Sequence, residues 1–204
     1  MVSHDPYINP EHCLGPKGEP VSEGVMIRNL TAEEVQKYDC GSKKSRRFPK
    51  QVLVPHSHIP KFSEVLDLVK SSKAAAAKKV QLNVESKIYP HHPERSPEPD
   101  EFVKLIVAAL KKAGLVERAT LQSFDDRTLK AAQKQEPRLR RVLLTSDNHF
   151  DFVAAAKSDK VYALSPDFEW ITADDVKALH KAGIKVIPWT VNDAEGWKKM
   201  IDIG

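Results

Sequence analysis

From Val80 onward the sequence alternates short, strand-like apolar stretches with amphipathic ones, and this alternation limits the folds open to the chain. Strand candidates lie at residues 80–85, 119–124, 141–145, 161–164 and 185–190. Helix candidates fall between them, at residues 100–113, 129–135, 150–156 and 173–182, and a last one runs from near Asp193 toward Gly204. Strand followed by helix, repeated, predicts parallel strands joined by right-handed crossovers. Two architectures satisfy that pattern: a five-stranded doubly wound parallel sheet, or part of an eight-stranded (β/α) barrel of the TIM type. A doubly wound sheet concentrates function at one switch point, whereas a barrel gathers it from the carboxyl ends of many strands. Here Glu85 and Lys87, Gln122 and Phe124, Ser165, and Trp189 and Asn192 all stand late in their strands or just after them. That distribution favours the α/β barrel.

The first strand candidate carries the strongest hint of chemistry. Leu82 and Val84 alternate with Asn83, Glu85 and Lys87. Side chains two apart share one face of a strand, so one face is apolar and the other carries amide, carboxylate and ammonium. Buried parallel strands are ordinarily apolar on both faces. A polar row here predicts either a wet edge or an interior built for catalysis.

Residues 1–60 show no sustained period and hold Pro6, Pro10, Pro16, Pro20, Gly15, Gly18 and Gly24, so turns dominate. They read as a loop-rich insertion before the βα repeats of residues 61–204, within a single domain. Inside the insertion, Thr31 and Glu34 form a capping-box pattern at the head of a short helix. Ser63 is expected to cap a helix over residues 63–71, and Asp100 to cap the next, which Gly114 ends. The proline-rich loop at residues 89–99 excludes helix and strand. His91 and His92 in it read as solvated, as do His56 and His58, and Trp170 and Trp197 read as packing residues.

Composition excludes little. A formal charge of +4 and a pI near 8.9 are too mildly basic to argue for nucleic acid. The run Lys43-Lys44-Ser45-Arg46-Arg47 lacks interleaved aromatic residues and reads as a solvated loop. No segment approaches the roughly 20 apolar residues of a transmembrane helix, and Met1 is followed by no signal-peptide pattern. The two cysteines, Cys13 and Cys40, form one disulfide if the protein is exported to the periplasm or beyond, or stay two thiols in the cytosol.

Four motifs in order resemble the glycerophosphodiester phosphodiesterase family. They are His4-Asp5-Pro6, Asn83-Val84-Glu85-Ser86-Lys87, Leu121-Gln122-Ser123-Phe124-Asp125, and Pro188-Trp189-Thr190-Val191-Asn192-Asp193. Asp39-Cys40-Gly41-Ser42-Lys43 also resembles the loop of bacterial members. The resemblance implies a barrel enzyme that hydrolyses small-molecule glycerophosphodiesters to glycerol 3-phosphate and an alcohol. It further implies a divalent metal, Mg²⁺ or Ca²⁺, with Glu85 as one ligand, and histidines acting as acid and base. His4 matches the second of those histidines, and Lys87 matches the lysine beside the phosphate. Phe124 and Trp189 match aromatic walls of the glycerol pocket, while Gln122 and Asn192 are expected near the substrate. Asp5 is expected to point away from His4 and to orient the loop, and Asn192 to cap the following helix.

The chain also departs from the family pattern. The family's strand ending in His-Arg and its Glu-x-Asp strand would both precede Met1, and an eighth strand would follow Gly204. On that pattern the chain reads as the middle of a barrel of about 250 residues, and it is expected to be weakly stable or oligomeric, because open sheet edges invite pairing. Two other functions fit the residues: a related lipid phosphodiesterase or lyase, and an incomplete barrel acting as a binding module.

Overall fold

The structure, a computed structural model, describes residues 1–147 and 151–204. The expected start of one helix at Phe150 lies outside the described residues. Two compact units account for the chain: Met1–Lys79 with Tyr89–Pro97, and Val80–Ile88 with Glu98–Gly204. The first unit thus runs through Lys79 and includes most of the proline-rich loop.

The second unit is built on five parallel strands: β1 (Leu82–Glu85), β2 (Ala119–Ser123), β3 (Arg140–Thr145), β4 (Ala163–Pro166) and β5 (Lys185–Val186). They lie in the order β1-β2-β3-β4-β5, each paired in parallel with the next. A doubly wound sheet would reverse its order at a switch point. Sequential order without reversal is that of a (β/α) barrel, and among the described residues the sheet does not close on itself.

The register sorts side chains between two faces. Glu85 stands opposite Gln122, Gln122 opposite Val142, Leu144 opposite Ser165, and Ala163 opposite Lys185. With a repeat of two, Leu121, Leu143 and Leu164 take the other face, where helices cover them. Leu143 and Leu164 pack with Leu129 of α4 (Asp126–Gln135), Phe152 and Ala156 of α5 (Phe152–Ser158), and Val176 and Leu179 of α6 (Ala173–Lys181). Burying such side chains, at about 25 cal/mol per Å² of apolar surface, is the main force holding the helices to the sheet.

Several boundaries differ from those read in the sequence, each for a local reason. The helix α2 (Phe62–Ser71) starts one residue before Ser63, with Lys61 as its N-cap. The Glu64 carboxylate reaches back and accepts the Lys61 amide at 2.8 Å, so the hydroxyl of Ser63 is not needed. Helix α3 (Pro99–Ala113) is capped at Glu98, not Asp100, because a proline at the first helical position has no N–H to satisfy and a φ already suited to the helix. Gly114 ends it as expected, at φ 71° in the left-handed region that side chains avoid. The regular part of β5 is short, yet bonds from the amides of Ile187 and Trp189 to the carbonyls of Leu164 and Pro166 extend its pairing to Trp189. Pro188 is tolerated there because its nitrogen alternates to the side away from β4. Helix α7 (Ala194–Asp202) leaves Trp197 and Ile201 exposed, and Trp170 is also exposed, so neither tryptophan is the packing residue expected.

The first unit has a small core of its own, made by Ile8, Cys13, Val21 and Val35 with Leu30, Tyr38 and Ile59 packed against it. A disulfide joins Cys13 to Cys40. Helix α1 (Ala32–Val35) carries the expected capping box: Thr31 Oγ1 accepts the Glu34 amide at 3.2 Å, and the Glu34 carboxylate accepts the Thr31 amide at 2.7 Å. The Tyr89–Pro97 loop is fastened by Arg28, whose guanidinium donates to the carbonyls of Pro93 and Ser96.

In the second unit, Glu136 bolts α3 to the turn between α4 and β3. Its buried carboxylate accepts from Arg138 Nε and Nη2 at 2.9 and 3.1 Å and pairs with Lys111 Nζ at 2.9 Å. The guanidinium of Arg138, followed by the ammonium of Lys111, holds the carboxyl at about 2, below its ordinary 4.5. Between those values the unfolded chain binds the proton and the folded chain does not. The stabilisation is therefore complete above 4.5 and is lost as the pH falls toward about 2. Thermal melts across that range should show a falling Tm in the parent protein, and Glu136→Gln should lower the Tm at neutral pH while flattening the acid limb.

Candidate active site

Four expected site residues meet at the carboxyl ends of the strands in the second unit. Lys87 Nζ lies 2.7 Å from Glu85 Oε1. The same ammonium sits 5.7 Å from the centre of the Phe124 ring, within cation–π range. Phe124 in turn meets Trp189 edge-on, with centroids 5.5 Å apart and planes at 87°. Trp189 is held from behind by its own Nε1, which donates to the carbonyl of Ser165 at 2.9 Å. The result is a continuous row of carboxylate, ammonium and two aromatic rings spanning β1, β2 and the end of β5.

Gln122 belongs to the same face but is already engaged. Thr120 Oγ1 donates to Asn83 Oδ1 at 2.6 Å, and Asn83 Nδ2 donates to Gln122 Oε1 at 2.7 Å. This relay fixes which way the Gln122 amide points, leaving its NH₂ group as a donor. Asn83 was visible in the sequence as part of the polar row, but its service to Gln122 depends on the register between β1 and β2. Asn192 does not cap α7: it is exposed, and Asp193 does the capping by accepting the Gly196 amide at 2.7 Å. An aspartate one residue later is the better placed acceptor for the third amide of the helix.

The donor set for a metal can be tested on these residues. Glu85 Oε1 is buried and accepts no hydrogen bond, and its contact with Lys87 is an ion pair without hydrogen-bond alignment. Such an atom suits a cation ligand. Hard divalent cations take about six or more oxygens, however, and among the described residues no group of three or more His, Cys, Asp or Glu could hold one. Glu85 fits as a single ligand; the described residues do not form a complete site.

His4 lies in the first unit, in a cleft of about 590 Å³ lined also by Asp5, Tyr7, His12, Arg47 and Phe48. Its side chain is 80% exposed, and Nδ1 stands 3.1 Å from Asp5 Oδ1. Asp5 therefore does not point away as expected: the backbone bends over residues 4–6, which brings neighbouring side chains together. Asp5 also holds the loop, through Asn9 Nδ2 at 2.8 Å from its other oxygen. Partial burial pushes the Asp5 carboxyl up, but the hydrogen bonds from Asn9 and His4 outweigh it and leave the group below its ordinary value. An ionised carboxylate at Nδ1 favours the proton on that nitrogen and leaves Nε2 with the free lone pair. His12 went unremarked in the sequence; its place beside Cys13, which the disulfide brings to Cys40, was the available signal.

Comparison with known proteins gives this geometry a context. The model of the glycerophosphoryl diester phosphodiesterase family matches residues 1–204. The chain belongs to that family. A glycerophosphodiester phosphodiesterase of Caldanaerobacter subterraneus subsp. tengcongensis is 27% identical over 183 residues, covering 88% of this chain and 66% of that protein. Another, from Bacillus subtilis, is 23% identical over 190 residues, covering 87% of this chain and 60% of its own length. The chain thus spans less than two thirds of the length of either relative. Among solved structures, one from Silicibacter pomeroyi, assigned as a glycerophosphoryl diester phosphodiesterase, superposes with a TM-score of 0.88 at 24% identity, over 99% of this chain and 72% of that one. An Oleispira antarctica phosphodiesterase in complex with sn-glycerol-3-phosphate gives 0.70 at 18% identity, over 99% and 71%. At these identities the structures establish the shared barrel fold.

Within this family member, the aromatic contact is a measurable part of the row. Edge-on aromatic pairs contribute about 1 kcal/mol beyond burial. A double-mutant cycle of Phe124→Leu and Trp189→Leu, followed by urea unfolding, should give a coupling energy of about that size. Additive effects of the two substitutions would show that the rings do not support each other.

Proposed function

We propose that this chain serves a phosphodiesterase that hydrolyses glycerophosphodiesters to glycerol 3-phosphate and an alcohol. The observation that carries this reading is the meeting of Glu85, Lys87, Phe124 and Trp189 at the carboxyl ends of parallel strands, in a chain matched to the family along its whole length. The names of the Caldanaerobacter and Bacillus relatives, and the sn-glycerol-3-phosphate held by the Oleispira protein, support the substrate class.

Each residue has a defined task in this reading. A phosphodiester is anionic and repels nucleophiles until its charge is offset. The Lys87 ammonium, steadied by Glu85, offers a point charge to a phosphate oxygen. Phe124 and Trp189 present apolar surface to the carbon skeleton of the glycerol, and the free NH₂ of Gln122 offers it a hydrogen bond. Asn192 is the outlying member of this set, at the exposed start of the segment leading into α7. In hydrolysis, water adds to phosphorus, the bond from phosphorus to the alcohol oxygen breaks, water gives up a proton and the departing oxygen receives one. His4, with Asp5 fixing Nδ1, is assigned to one of these two transfers through Nε2. A divalent cation, Mg²⁺ or Ca²⁺, belongs to the same reading, with Glu85 as one ligand; when bound it offsets phosphate charge.

The test is release of glycerol 3-phosphate from glycerophosphocholine by the purified protein, with a chelator and after adding back Mg²⁺ or Ca²⁺. His4→Ala and Glu85→Gln are each expected to cost about a hundredfold or more in turnover. Full activity in both variants would remove the assignment, and a cyclic phosphate product would point to a lyase instead.

A further inference from the structure

The segment between Asp39 and Glu64 holds six Lys and Arg residues and not one Asp or Glu. Most of it forms a closed loop in the first unit. The Val54 amide donates to the Gly41 carbonyl at 3.1 Å, and the Cys40 amide donates to that of Ser57 at 2.7 Å. The pinch is tight: a Cβ on residue 41 would lie 1.8 Å from the Val54 carbonyl oxygen, so only glycine fits. Asp39 fixes the same base by accepting the amides of Gly41 and Ser42 at 2.9 and 3.0 Å, and the disulfide anchors Cys40. Inside the loop, Gln51 Oε1 accepts the Ser45 amide at 3.0 Å and the Gln51 amide donates to Phe48 at 3.0 Å. Compact loops with joined ends are frequently functional.

What this preformed loop displays is unusual for a water-facing surface. Val52 is 83% exposed, Val54 61%, Phe48 51% and Leu53 40%. Lone apolar residues on a surface are ordinary, but four in seven consecutive positions call for a partner. Lys44, Arg46, Arg47 and Lys50 surround them, all exposed. We infer that the loop of residues 41–54 is an interfacial anchor that docks on an anionic phospholipid surface. Apolar side chains enter the boundary between headgroups and acyl chains, while the cations meet the negative headgroups. A second copy of the same loop is a poor occupant, since it would bring like charges together. A nucleic acid would use the cations but leave Val52, Leu53 and Val54 without a role. This inference does not rest on the phosphodiesterase reading.

The experiment is co-sedimentation of the purified protein with vesicles of phosphatidylcholine alone or mixed with phosphatidylglycerol. Binding to the anionic vesicles is expected to be roughly tenfold tighter or more, and to weaken with salt. The triple variant Val52→Ser, Leu53→Ser, Val54→Ser should lose roughly tenfold in affinity while keeping the salt dependence. Lys44→Glu with Lys50→Glu keeps every apolar side chain of the loop and should weaken binding while flattening its response to salt. Far-UV circular dichroism confirms that both variants are folded. Equal binding to the two kinds of vesicle, no binding, or variants that bind like the parent would overturn the inference. So would self-association that the triple variant abolishes, or binding to an oligonucleotide that it leaves untouched while vesicle binding is absent.

Discussion

The parallel hydrogen-bond ladder is the constraint on which the second unit depends. It sets Asn83 beside Thr120 and Glu85 beside Gln122, and carries the same rows on through Val142 and Ala163. Because each strand turns alternate residues to opposite sides, one registration decides both where the core lies and where chemistry is available. Leu121, Leu143 and Leu164 go beneath the helices. The other face receives the amides and charges, and its carboxyl end receives the aromatic rings. Fold and candidate site are thus two outcomes of one pairing.

Electrostatics then organises each unit locally. In the second, the lysine that meets Glu85 and the cations that meet Glu136 place positive charge where carboxylates have been partly or fully withdrawn from water. In the first, Asp5 and Asp39 act less as charges than as hydrogen-bond acceptors that shape turns, one holding Asn9 and His4, the other closing the base of a loop. The same residue type does different work because the backbone presents different donors to it.

Much of this was legible in the sequence, and the exceptions share a cause. The βα alternation predicted the strands in order, and the polar alternation at Asn83, Glu85 and Lys87 marked the polar face that β1 shares with Gln122. The capping box at Thr31 and Glu34 and the stop at Gly114 are local, involving neighbours within four residues, and were readable for that reason. What sequence could not show depended on contacts between distant residues or on backbone bends. The pairing of Asp5 with His4 needs a bend that no motif announces. Ser63 and Asp100 resemble caps, but Glu64 and Pro99 beside them satisfy the helix starts better. The disulfide was one of two open alternatives until Cys13 and Cys40 were brought together by a core that forms over residues 8–59.

The strict two-residue repeat of β1 has a further consequence for how this protein can change. Sliding that strand by a single position against β2 would sink Asn83, Glu85 and Lys87 into the hydrocarbon layer under the helices and lift Leu82 and Val84 into the mouth. New specificity on this scaffold can therefore come by exchanging side chains in place. Insertions and deletions are confined to the connecting loops, where an added residue lengthens a turn without inverting the sheet.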